Sequence, residues 1–149
     1  MVIFFGKAET DSEFKERADK LKKPKKLKKP SRRSLLRQWG QLILRRDKRI
    51  CQKCGKRGNN PHHIFTRARN STAFLPENGI TLCTHCHIWD TDEGAHPAPE
   101  EFKAWLLKNW MTEKEYEDLK LSSHLTEKFD PLAIKLFLDK EKKKQEVKP

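Results

Sequence analysis

No stretch of this 149-residue chain approaches the ~20 consecutive apolar residues of a transmembrane helix, and Val2-Ile3-Phe4-Phe5 is too short for the apolar centre of a secretory signal. The sequence therefore predicts a soluble, cytoplasmic protein. Apolar residues are scarce overall: they make up 35% of the chain against 36% charged, too few for a large core, so something besides hydrophobic burial must help hold the fold. Only four cysteines are present, in two close pairs. In a reducing compartment such pairs are metal ligands more often than disulfides. Acidic residues are outnumbered, 21 against 33 Lys and Arg, and the formal charge of +12 calls for a polyanion as partner. Nucleic acid, bound through counterion release from its phosphates, is the first candidate and an anionic membrane the second.

What is there falls into three parts: a basic N-terminal arm (1–33), a central domain (34–122), and a C-terminal helix with a basic tail (123–149). There is no internal repeat. From Lys15 to Arg33 the chain is Lys-rich and punctuated by proline, with seven lysines among the ten residues Lys20 to Lys29. Such a run repels itself and buries nothing, which predicts a flexible arm that clamps phosphates without sequence preference. Leu35, Leu36, Trp39, Leu42 and Ile43 recur at helical spacing, with Arg37, Arg45 and Arg46 outside the stripe, and predict one amphipathic helix ending near Asp47. Turn signals at Gly55, at Gly58-Asn59-Asn60-Pro61 and at Pro76-Glu77-Asn78-Gly79 bound β-compatible runs at His63 to Thr66 and Ile80 to Cys83. These read as two short strands joined by a long loop. Pro97-Ala98-Pro99 leads into a helical pattern at Phe102, Trp105, Leu106 and Trp110, and Thr112 with Glu115 forms a capping box for a helix through Tyr116 and Leu119. Asp130-Pro131 starts a last helix with Leu132, Leu136 and Phe137 expected inward and a frayed end from Lys140. The fold class is small α+β, and aromatic residues at these helical spacings read as core, not as platforms for stacking bases.

The chemistry concentrates between Cys51 and His87. Cys51-Gln52-Lys53-Cys54 and Cys83-Thr84-His85-Cys86 are two C-x2-C pairs, each able to give two thiolates to one tetrahedral zinc, with Gly55 suited to the tight turn after the first pair. Lys53, Lys56 and Arg57 are expected to favour the thiolate form. Zinc binding at such a site is folding free energy, which compensates for the small core. His62 and His63 are adjacent, and neighbouring strand residues point to opposite faces, so one can face a metal while the other faces a water. His87 directly follows Cys86 and would lie in the first turn of a helix, where it could share a metal with His62.

His63 and Asn78, between the cysteine pairs, and His87, directly after the second pair, closely resemble the motif of HNH endonucleases, a family built on a ββα-metal finger; the resemblance spans roughly residues 51 to 91. It implies that His63 is the general base, that His62 and His87 hold a divalent metal, and that the Asn78 side chain braces the loop between the strands. The cysteines match the branch of the family stapled by zinc. Colicin-type members carry a further ligand four residues after the last motif histidine. Thr91 stands there in this chain and His96 comes only later, so two imidazoles are expected, completed by waters and phosphate oxygens. That shell suits Mg²⁺ or Mn²⁺, with Ni²⁺ or Zn²⁺ as alternatives. Arg67 and Arg69, after the first strand, can reach the scissile phosphate or its neighbour. His62 to Arg67, Asn78 to Cys83, and Phe102, Trp105, Tyr116 and Leu119 are also similar to small phage-encoded HNH proteins, lambdoid recombination endonucleases among them.

The resemblance thus implies a metal-dependent DNA endonuclease, nicking or cutting with low sequence preference because no element reads as a major-groove recognition helix. If phage-encoded, it would act in the host cytoplasm, on branched DNA or beside replication, recombination or packaging proteins. The expected products are a 5′-phosphate and a 3′-hydroxyl. The competing reading is a non-catalytic zinc-ribbon module binding nucleic acid or protein, which would give His63 and Asn78 no reason for their spacing. A third is a phage-assembly protein whose nuclease works only in complex.

Overall fold

A computed structural model describes Ser12, Lys15 and residues 28–147. The basic arm, up to residue 27 and apart from those two positions, lies outside the described residues. Helix α1 (Arg32–Arg46) begins at Ser31, whose hydroxyl caps the Ser34 amide, and carries Arg45 and Arg46 in its last turn, where cations suit the helix dipole. Its inward stripe is Leu35, Trp39, Leu42 and Ile43. Arg46 departs from the expected solvent face. Its guanidinium donates to the Pro76 and Gly79 carbonyls, both at 2.7 Å, and to the buried carboxylate of Asp47.

Strands β1 (Asn60–His63) and β2 (Gly79–Leu82) form an antiparallel pair with Asn60 opposite Leu82 and His63 opposite Gly79. The first strand thus ends where the sequence pattern has it begin. After His63 the amide and carbonyl of Phe65 are both taken up by the Asn78 side chain, so the backbone there cannot continue a ladder. Pro61 is accommodated because a two-stranded sheet is all edge. A π-helical turn (His85–Trp89) follows β2, and then come α2 (Pro99–Asn109), α3 (Glu113–His124) and α4 (Pro131–Val147). The Thr112–Glu115 capping box opens α3 as the sequence implies.

The core has two parts. Cys51, Ile80, Leu82, Cys83, Cys86, Phe102 and Leu106 form one, around the hairpin; Leu35, Trp39, Ile43, Phe74 and Leu138 form the other, between α1 and α4. On α4 the inward residues are Ile134, Phe137 and Leu138, while Leu132 and Leu136 are exposed, contrary to the sequence reading. Leu136 stands two positions from both Ile134 and Leu138, about 200° around the helix, so it cannot share their face. The basic end expected to fray from Lys140 is helical to Val147, with Gln145 donating to the Leu42 carbonyl and Arg45 paired to Glu146. No described helix is long and apolar enough to cross a membrane.

Candidate functional site

The chain from Ile50 to Arg57 turns back on itself: the Cys51 amide donates to the Lys56 carbonyl at 2.7 Å, and Gly55, at φ +73°, donates to the Cys51 carbonyl at 2.8 Å. A side chain at that φ would be strained. Cys83 leaves the end of β2 and Cys86 lies in the π-helical turn, whose amide points at the Cys83 sulfur at 3.5 Å. All four Sγ atoms fall within 4.8 Å of one another, with Cys54 and Cys83 3.6 Å apart. Tetrahedral bonds of ~2.3 Å to one ion put sulfurs roughly 3.8 Å apart, so the four cysteines can hold a single metal ion. Cys51, Cys83 and Cys86 are buried and Cys54 is exposed.

The thiols do not titrate alike. Burial raises Cys83, but the Cys86 amide and the surrounding thiols outweigh it and bring its pKa down to about 7. Burial and the neighbouring thiols push Cys86 well up, and burial raises Cys54. Four thiolates cannot form side by side without a cation between them. Lys53 does not serve the sulfurs as its sequence position suggests, because its ammonium is turned to Asp90 and Glu93, at 3.0 Å each.

Strand alternation separates the paired histidines. His62 is 9% exposed and faces three aromatic rings: His87 and His96 at 5.1 Å between centroids, and Phe102 at 5.6 Å. The Nδ1 of His62 and Nε2 of His87 are 3.1 Å apart, a spacing at which two ring nitrogens either share a proton or converge on a cation. The three imidazoles place ligand nitrogens within 4.8 Å of one another. His96 is the ligand candidate beyond the expected pair. It arrives because the chain reverses after Asp90, and its amide then donates to the His87 carbonyl at 3.2 Å. Burial, reinforced by repulsion from His87, His96 and His63, brings His62 down to about 3, and burial with the charge of His96 lowers His87. At neutral pH both rings are neutral and their lone pairs are available.

His63 lies on the other side of the strand. Its ring stacks on Trp39 at 3.7 Å and 17°, and its Nε2 is 2.9 Å from the Ala73 carbonyl. A carbonyl only accepts, so Nε2 carries the hydrogen and Nδ1 keeps the lone pair. Burial lowers the His63 pKa; the Ala73 bond acts against this, and the charges of Arg67 and Arg32 add to it.

Asn78 is fully buried. Its Oδ1 accepts the Phe65 amide at 2.7 Å, while Nδ2 donates to the Phe65 and Thr72 carbonyls at 3.0 Å each. Those bonds close the 64–75 loop from which Ala73 reaches His63. Arg67 and Arg69 are exposed on the same loop. Arg32, from the first turn of α1, donates to the Arg67 carbonyl and lies over the Phe74 ring at 5.6 Å.

No protein-family model, no curated protein and no solved structure matches this chain.

The site therefore has two donor sets, joined at the peptide bond between Cys86 and His87. One is soft and largely buried, with four sulfurs. The other is made of three imidazoles and opens to solvent at the exposed His96. Trp39, Ala73, Arg32 and His96 belong to the site without any signal in the motif. Only the turn-rich Asp90 to Gly94 segment hints at one of them, since a reversal there returns the chain to His87.

Proposed function

We propose that the chain is a metal-dependent DNA endonuclease of the HNH type, with β1, β2 and the His85–Trp89 turn as its ββα-metal finger. The observation that carries this reading is the division of labour on β1: His62 joins an imidazole cluster, while its neighbour His63 is held as the neutral tautomer with Nδ1 unprotonated. The two remain close enough for His63 to be among the rings that disfavour protonation of His62. Zinc at Cys51, Cys54, Cys83 and Cys86 suits the closed sulfur set and would be structural. The catalytic ion would be held by His62, His87 and His96. Three nitrogen donors without a carboxylate suit Mn²⁺, Ni²⁺ or Zn²⁺ better than Mg²⁺, which prefers oxygen.

When bound, that ion would supply Lewis-acid stabilisation of the charge that develops at the scissile phosphate. His63 Nδ1 takes the proton from the attacking water as the P–O3′ bond breaks, and the departing 3′-oxygen is protonated by solvent water, which gives a 5′-phosphate and a 3′-hydroxyl. The Ala73 carbonyl fixes its tautomer, the Trp39 ring fixes its plane, and Asn78 holds the loop that supplies Ala73. Arg67 meets the phosphate. The +12 charge favours DNA, branched or otherwise, without sequence preference. The test is supercoiled plasmid incubated with Mn²⁺, Ni²⁺, Zn²⁺ or Mg²⁺ and with an EDTA control. Nicked or linear product that His63→Ala abolishes supports the reading. Plasmid that is bound but uncut under every metal would assign the chain to the non-catalytic zinc-ribbon class.

A further inference from the structure

We propose that Lys53 is a positioning residue for the imidazole cluster: its buried ammonium grips the turn at residues 90–94 and thereby holds His96 against His62 and His87. This rests on reading the cluster as a divalent-metal site. Lysine is seldom buried unless paired, and the Lys53 side chain is only 8% exposed, inserted between Asp90 Oδ2 and Glu93 Oε2 at 3.0 Å each.

The turn it grips is built to reverse the chain. Asp90 Oδ1 accepts the amides of Asp92 and Glu93, and the Asp90 carbonyl accepts the Gly94 amide at 2.9 Å. A Cβ at Gly94 would lie 2.2 Å from that carbonyl oxygen, so the approach requires glycine. Past the reversal, Ala95 donates to the Cys86 carbonyl and His96 to the His87 carbonyl, which brings the His96 ring to 4.6 Å from that of His87. Among the described residues, both ion pairs that leave this turn go to Lys53. Lys53 sits inside the first cysteine pair, so the sulfur site and the imidazole site share a mechanical link through one side chain.

Zinc-loaded full-length protein titrated with Co²⁺ tests the link by calorimetry and visible absorption, with thiolate charge-transfer bands reporting any exchange at the cysteines. Lys53→Met should keep its zinc and bind Co²⁺ about tenfold more weakly, the low end of what loss of an orienting partner costs a metal site. Lys53→Arg, which keeps the charge, should recover most of the affinity. His96→Ala should lose at least as much, and adding Lys53→Met to it should lose nothing more, because the lysine acts through that ring. Wild-type Co²⁺ affinity in Lys53→Met overturns the proposal, as does an equal loss in the His96→Ala background. If Lys53→Met loses zinc, Glu93→Gln, altering an exposed partner, should weaken Co²⁺ binding about two- to threefold, and unchanged affinity overturns the link. His62→Ala and His87→Ala separate the two levels. If they weaken binding and Lys53→Met does not, only the lysine link fails. If neither weakens it, the metal-site reading fails and the link with it.

Discussion

The carboxylate of Asp47, just past the end of α1, accepts the amide of Thr81 in β2 at 2.9 Å and the guanidinium of Arg46 at 2.7 Å. It is 7% exposed, so this pair joins helix to hairpin away from water. Asp47→Ala would leave the buried Thr81 amide without its acceptor and the Arg46 guanidinium with only the Pro76 and Gly79 carbonyls. Leaving a buried amide without an acceptor costs about 1–3 kcal/mol. Urea unfolding of zinc-loaded protein should show that loss; a change under about 1 kcal/mol would mean the contact is marginal.

The sulfur cluster should be indispensable to the hairpin, since a two-stranded sheet of this size is not stable alone. Cys54→Ser or Cys83→Ser should abolish zinc binding, and hydrogen exchange from His62 to His87 should approach unfolded rates. A zinc-free variant with wild-type protection over that span would show that the apolar core suffices. Prolonged chelation of the wild-type protein should reproduce the effect.

What could be read from the sequence was what depends on local spacing. The cysteine pairs, the opposed faces of His62 and His63, and the Thr112 capping box all follow from positions a few residues apart. The unread parts depend on contacts distant in sequence. The strand boundary moved because Asn78 captures the Phe65 backbone, and Arg46 is engaged because the Pro76 and Gly79 carbonyls come to it. Apolar character alone points Leu132 and Leu136 inward, whereas the face of α4 is set by how Leu138 meets α1. His96 escaped because its arrival requires the reversal at Asp90 to Gly94. Carbonyl partners such as Ala73 leave no trace in residue type at all.

Phosphate contacts add a salt-dependent term to affinity that is blind to sequence. Deleting residues 1 to 30 removes the lysine run and should weaken binding to duplex DNA. The log-log dependence of affinity on salt should become shallower, while cleavage at saturating protein survives. An unchanged slope would make the lysines a passive tail.

A general base and a metal ligand fail differently when truncated. His63→Ala should retain zinc, divalent metal and DNA binding, and lose turnover by roughly 10²- to 10⁴-fold. His62→Ala and His87→Ala should weaken divalent-metal binding instead, with activity partly returning at high metal. Calorimetric titration beside kinetics checks both halves. Loss of metal in His63→Ala with retention in His62→Ala would reverse the two roles.

The acid limb of the rate profile reports the base. Burial and the charges of Arg67 and Arg32 lower the His63 pKa, so its neutral form should persist below the ordinary imidazole midpoint of about 6.5. With His63 as base, kcat/KM should be flat through pH 7 and fall only at a midpoint lower than that. Arg67 disfavours the imidazolium, so removing its charge should raise the pKa. The acid limb of Arg67→Ala should therefore shift to higher pH, and its deficit relative to wild type should be larger at pH 6 than at pH 8. Arg67→Lys, which keeps a cation, should hold the limb nearer its original place even where phosphate binding is weaker. If Arg67→Ala lowers the rate by the same factor at every pH, the guanidinium acts on the phosphate alone and does not tune the base.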